Sequence, residues 1–229
     1  LAAGWITIRI HNHGLEPHHI QLLKLSDGKT LADLSNALRT PLIAVPDWAK
    51  HSGGPNAVDS GGIAEARVHL DPGSYALICV IPVKDGTPHV ALGMSKELRV
   101  TEQGAFSQRL TNHYHVAMRD YEFVLVEPVS KGTHSFYVKN RGSQPHQVSL
   151  VRLDPTSAAS DIPAAFTTNS QTAIPGKLVG GMSGLEPEGE GSFTADLSEG
   201  RYALICLFPN PGSSSSHAAK GMVLDFTVK

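Results

Sequence analysis

The chain is poor in cysteine, with only Cys79 and Cys206 in 229 residues, too few for a disulfide framework. Charge of one sign is also lacking: 19 Lys and Arg stand against 21 Asp and Glu. No basic surplus therefore draws in nucleic acid or an anionic membrane. No apolar run approaches the roughly 18–20 residues of a membrane-spanning helix. No glycine-rich loop opens a helix as phosphate cradles do, and no Ser, His and Asp set stands out as a hydrolytic triad. Disorder is excluded by composition, 41% hydrophobic and 17% charged. What remains is 22 Gly and 15 Pro spread between short β-branched runs, the signature of an all-β chain with many turns.

The chain is an internal duplication. Residues 12–18 read NHGLEPH and residues 140–146 read NRGSQPH; GSYALIC at 73–79 returns as GRYALIC at 200–206. Asn12 and Asn140, His18 and His146, and Met94 and Met222 are each 128 residues apart, and the two cysteines 127. The halves thus align with almost no insertions. The expected organisation is two sandwich domains, residues 1–102 and 103–229, each of a size that buries its own core. The boundary falls near 102–111. The stretch from Asn112 to Val129 reads as the first strand of the second half. Its counterpart in the first half would lie upstream of Leu1. Equivalent core positions of two sandwiches rarely come within bridging distance, so Cys79 and Cys206 are expected as free thiols.

Strand alternation runs through ITIRI, EARVHL, YALIC and SFYV. The stretch TLADLSNALRT has helical spacing, with Leu31, Leu34 and Leu38 on one face; its counterpart at 158–166 is more broken and is limited by Pro163. Parity places His18 with Ile20 and Leu22, facing inward, and His19 with Gln21, facing water. The same rule turns His146, Cys79 and Cys206 inward. Each Cys is followed by a proline-containing loop, then His, then Met: nine residues separate Cys79 from His89 and ten separate Cys206 from His217, and four lie between each His and its Met.

Two imidazoles and a thiolate in a trigonal plane, with a weak axial thioether, make a blue copper centre. Such a site needs one His from a distant strand, a Cys ending a neighbouring strand, and a His and a Met from the loop beyond. The chain supplies that order twice. NHGLEPHH and YALICVIP…PHVALGM resemble the motifs of the cupredoxin superfamily. The resemblance implies two tandem Greek-key β-sandwiches with short helical excursions. It implies His18, Cys79, His89 and Met94 as copper ligands of the first half, and His146, Cys206, His217 and Met222 as those of the second. At most one type 1 copper is expected per half. The long Cys-to-His loop is similar to that of two-domain copper nitrite reductases. Yet Ile78, Val80, Ile205 and Leu207 flank the cysteines, and none can ligate the second copper centre that nitrite reductases and laccases feed from that position. Family members also often carry Ser or Thr after the Cys and Asn after the first His, where this chain has Val80 or Leu207 and His19 or Gln147.

The implied function is outer-sphere electron transfer rather than catalysis, with His89 or His217 as the exposed exit. The partner is an unnamed redox protein, a homo-oligomer is compatible with it, and the resemblance points to an exported protein. Two alternatives are a metal-free cupredoxin-like module, and a copper oxidoreductase with an interface metal built from His11 with His13 and His113 with His115. His51, His69 and His134 read as surface residues, and Trp48 and Met182 as packing residues.

Overall fold

A computed structural model describes residues 1–38, 45–102, 114–126, 128–162, 175–210, 213 and 215–229. The expected boundary near 102–111 lies almost wholly outside these residues, as do His113 and Pro163.

The first half contributes β1 (Gly4–His11), β2 (Gln21–Leu25), α1 (Leu31–Ala37), β3 (Ala49–His51), β4 (Ile63–Leu70), β5 (Gly73–Ile78) and β6 (Ser95–Val100). The second contributes β7 (Tyr114–Arg119), β8 (Glu122–Leu125), β9 (Gly132–Asn140), β10 (His146–Leu153), β11 (Gly176–Leu185), β12 (Glu190–Leu197), β13 (Gly200–Ile205) and β14 (Val223–Val228). The fold is an all-β sandwich architecture, as the alternation predicts. One four-stranded sheet per half, β3-β2-β5-β6 and β11-β10-β13-β14, packs against a six-stranded sheet in the order β1-β4-β12-β9-β7-β8. The chain crosses between layers at β1–β2, β3–β4, β4–β5 and β6–β7, and again at β9–β10, β11–β12 and β12–β13, the Greek-key habit. The segment expected as one first strand of the second half is a hairpin, β7 and β8, turning at Asp120 and Tyr121.

The six-stranded sheet runs through both halves. Strand β4 pairs antiparallel with β12, its own repeat counterpart. Ala66 faces Phe193, its own counterpart, while Glu65 faces Thr194, the counterpart of Arg67, and Arg67 faces Ser192, the counterpart of Glu65. Equivalent strands meeting antiparallel in this reciprocal register are related by an approximate two-fold axis, as in an isologous dimer. One apolar cluster spans the join, with Leu22, Val68 and Tyr75 from the first half and Val116, Phe136 and Phe193 from the second. Phe136 and Phe193 stack with ring centroids 4.9 Å apart.

Helix α1 forms where the spacing predicts. Thr30 caps it in a capping box with Asp33, and Leu34 and Leu38 are buried beneath it. The described part of the counterpart excursion, up to Ile162, holds a single 3₁₀ turn, Ala159–Asp161. Trp48 packs against the cluster under α1 and Met182 is fully buried in the core. No helix among the described residues is long and apolar enough to cross a membrane.

Candidate metal centres

Each site is built at one end of its sandwich by three pieces of chain. The first is a loop. Asn12 is buried at the end of β1, and its amide Nδ2 donates to the carbonyls of Glu16 and Val58 while its Oδ1 accepts the Gly14 N–H. Asn140 repeats this with Gln144, Leu185 and Gly142. A buried amide with its hydrogen bonds satisfied fixes the loop that presents the following His. The glycine two residues on is sterically required. A Cβ on Gly14 would lie 2.7 Å from His18 Nε2, and one on Gly142 would lie 2.7 Å from His146 Nε2. This Asn-x-Gly support was in the sequence, repeated at the same spacing, but was not singled out.

The second piece is the cysteine strand. Cys79 follows β5 and Cys206 follows β13, and both are buried free thiols. The Gln147 N–H donates to Cys206 Sγ at 3.5 Å, and the Phe208 N–H also reaches this sulfur. His19 and Ile81 supply the same two backbone donors to Cys79. The side chains after each first His and each Cys therefore need not be polar, because the main chain makes these bonds.

The third piece is the return loop. His89 and His217 open one-turn helices that end at Gly93 and Gly221, both with φ near +100° (97° and 102°). The Cys79 N–H bonds to the Met94 carbonyl and the Cys206 N–H to the Met222 carbonyl.

These pieces bring His18, Cys79 and His89 together, and His146, Cys206 and His217 together, each trio with its donor atoms within 4.8 Å of one another. In the second trio the two Nδ1 atoms lie 2.9 Å apart, and Cys206 Sγ is 3.8 Å from His146 Nδ1 and 3.6 Å from His217 Nδ1. In the first, the Nδ1 atoms of His18 and His89 are 3.1 Å apart and Cys79 Sγ is 3.4 Å from His89 Nδ1. A metal bonded at about 2.0–2.1 Å to nitrogen and about 2.3 Å to sulfur, central in a trigonal plane, sets nitrogens about 3.5 Å apart and sulfur about 3.8 Å from each. The five edges given above stand within about 0.6 Å of that triangle and the sixth, from His18 to Cys79, is within 4.8 Å, so the residues fit a metal. Two soft-to-borderline imidazoles and a thiolate suit copper.

A sandwich that presents His, Cys and His from these three places in both halves settles the fold type. Both repeats are cupredoxin-like.

Several expectations about the cupredoxin-like sites need correction. His19 is buried, not turned to water, because β2 begins only at Gln21 and strand parity does not extend back to it. His18 is half-buried. The return-loop histidines are not the exposed ones: His89 is 5% exposed and His217 is 1%. Glu16 covers the first, its Oε2 being 3.0 Å from His89 Nε2. Tyr121 covers the second, packed T-shaped at 5.2 Å. His51 is not a free surface residue either. Its ring meets Phe208 at 4.9 Å and its main chain bonds reciprocally with Glu186 across the two halves. His69 packs on Trp5, and His134 bonds near Ser130 and packs on Tyr114. His11 and His13 are exposed with ring centroids 5.9 Å apart, and His115 lies against Tyr137.

The two sites differ in their second layer. In the second, Asp120 Oδ1 lies 2.9 Å from His146 Nε2 and the same carboxylate accepts from Ser143. A carboxylate behind a ligating His fixes its tautomer and orientation. Met222 is fully buried, whereas Met94 is 36% exposed. Among the described residues His217 Nε2 is buried without a hydrogen-bond partner.

The electrostatics favour neutral ligands. Burial pushes the Cys206 thiol up to about 12 despite its two N–H donors, and burial raises Cys79 for the same reason. Burial and the neighbouring His146 take His217 down to about 4, and burial lowers His146 against the pull of Asp120. Burial and His89 lower His18. Burial also opposes ionisation of Asp120, but its bonds to Ser143 and His146 win and hold it at about 2. The thiols thus stay protonated until a cation replaces the proton.

No known family model matches the chain, and no curated protein does. Among solved structures it is similar to auracyanin from Roseiflexus castenholzii, 19% identical over 52% of this chain and 98% of that one, with a TM-score of 0.39. It is similar to a copper-containing nitrite reductase from Thermus scotoductus, 13% identical over 100% of this chain and 53% of that one, TM-score 0.31. A blue copper oxidase from Nitrosomonas europaea is 14% identical over 100% of this chain and 74% of that one, TM-score 0.26.

Proposed function

We propose that each half binds one type 1 copper and that the protein carries single electrons. His18, Cys79 and His89 would hold the first ion, with Met94 as a further ligand. His146, Cys206 and His217 would hold the second with Met222. The observation that carries this reading is the convergence of two Nδ1 atoms and one Sγ in each half, on the scale of a trigonal metal site. The metal supplies the one-electron redox chemistry. The protein's residues exclude water, hold the imidazoles neutral, and aim two main-chain N–H groups at each sulfur. Those donors lower the electron density on sulfur and so tune the potential. Buried donors held in place by main-chain bonds leave little room for a substrate and little to reorganise on redox change. Both properties favour transfer over turnover. The partner is a redox protein, and an exported location would suit the function.

The test is copper addition followed by absorption and metal analysis. A strong band near 600 nm with two coppers per chain is expected. Cys79→Ala and Cys206→Ala should each remove about half of it. A colourless protein with no bound copper would refute the reading.

A further inference from the structure

The residues that support the two sites also touch one another across the approximate two-fold axis. Gln21 lies three residues after His18 and pairs in register with Ile78, the residue before Cys79. Its side chain is 5% exposed and crosses to the second half. There its Oε1 accepts the Gly184 N–H at 2.7 Å and its Nε2 donates to the Gly184 carbonyl at 3.1 Å. Gly184 in turn lies against the Phe208 ring so closely that a Cβ would come within 2.4 Å of Phe208 Cζ. Phe208 is the residue whose N–H reaches Cys206 Sγ and whose carbonyl accepts the His217 N–H at 2.7 Å.

A second crossing lies beside the two-fold image of this bridge. Asn56 is the repeat counterpart of Ser183, the neighbour of Gly184, and Ser149 is that of Gln21. Asn56 Nδ2 donates to Ser149 Oγ at 3.1 Å and to the Val148 carbonyl at 2.9 Å, just after His146 on β10. Ile81, the counterpart of Phe208, packs in the cluster that holds Ala57 and Ile205. Both crossings therefore end beside a donor to the Cys206 sulfur, the first at Phe208 and the second at Val148 and Ser149 next to Gln147, and the first begins two residues from His19, a donor to Cys79.

We propose that the two sites exchange an electron within the chain through these bridges, Gln21–Gly184–Phe208 and Asn56–Ser149. The inference rests on the reading that both sites hold copper. An external one-electron donor reduces one site. With copper in both sites, the reduced one would return to Cu(II) as the other became Cu(I). One electron moves, and no proton moves and no bond is made or broken. Short hydrogen bonds and an aromatic contact replace gaps that would otherwise interrupt the coupling.

The experiment uses the full chain loaded with two coppers and a substoichiometric pulse of an organic radical reductant. Spectra of Cys79→Ala and Cys206→Ala identify each site. A fast bimolecular reduction should be followed by a redistribution whose rate constant does not change on fourfold dilution and which both single-site variants lack. Gln21→Met should slow it about tenfold at unchanged spectra and potentials, and Phe208→Leu should slow it about as much, while Phe208→Tyr stays within twofold. In copper-free protein, Gln21→Met should also remove hydrogen-exchange protection from the Gly184 amide. A redistribution that slows in proportion to dilution would overturn the proposal, as would its absence with both bands present or insensitivity to both bridge variants. Should the bridge variants fail to fold, the dilution series on the unaltered chain decides. Absent blue bands would remove the copper reading itself, a separate and visible failure.

Discussion

Replacing Gly142 with Ala tests how the second site is held. The backbone there has an ordinary φ, so the methyl adds bulk without conformational strain. The built Cβ lies 2.5 Å from Asp120 Oδ1 and 2.7 Å from His146 Nε2, inside the bond that joins those two groups. The ring is fully buried and packed, so the side chain that can yield is Asp120, which is about one-third exposed. The expected result is a ring that has lost its carboxylate. Loss of such a partner typically lowers metal affinity about 10–100-fold, or about 1.4–2.7 kcal/mol. The methyl itself adds an overpacking cost of about 1–3 kcal/mol to the fold. The assay is competition with a copper chelator on a Cys79→Ala background, where only the second site binds, alongside thermal melting. Gly14→Ala on a Cys206→Ala background is the control. The half-buried His18 ring has room to swing towards solvent, so affinity should fall less than at the second site. Second-site affinity unchanged within threefold, with the melting point also unchanged, would refute the reasoning.

Acid behaviour carries a defined sign. Asp120 sits at about 2 in the fold, below its ordinary 3.8. It therefore contributes stability above about pH 3.8 that is lost as pH falls towards 2. Asp120→Asn should show a shallower loss over that window in denaturant titrations of the copper-free protein. His19, His51 and His217 sit at about 4 against 6.5. The unfolded chain protonates first, so each should remove about 1–2 kcal/mol of stability between pH 6.5 and 5. Replacing His51 with Phe should flatten this dependence in urea melts; a profile as steep as before would count against its burial. Phe193→Ala removes a ring stacked on Phe136 in the shared sheet and should cost about 3–5 kcal/mol. Because that sheet joins both halves, a single calorimetric transition should shift as a whole, whereas two independent transitions would contradict the shared core.

The candidate ligands were legible because their chemistry is local and repeated. His18, Cys79 and His89 recur as His146, Cys206 and His217 at near-constant offset, and alternation in YALIC turned both cysteines inward. The structure brings both trios together. Parity failed at His19, where no strand yet exists to enforce it. Exposure of His89 and His217 was misjudged because their covers, Glu16 and Tyr121, come from other loops. Sequence spacing says nothing about which loops meet.

The sequence alone determined the duplication, the all-β class and the order of the candidate metal-site residues. Each of these follows from periodicity or from spacing along one strand or loop. Only the tertiary structure decided the rest. It joined β4 to β12 across an approximate two-fold axis, set Asp120 behind His146, and carried Gln21 across to Gly184. These contacts link residues 26 to 163 positions apart, and the pattern of neither partner encodes the other. They arise when two twisted sheets bury a common apolar face, and the polar groups trapped at that join must find partners there.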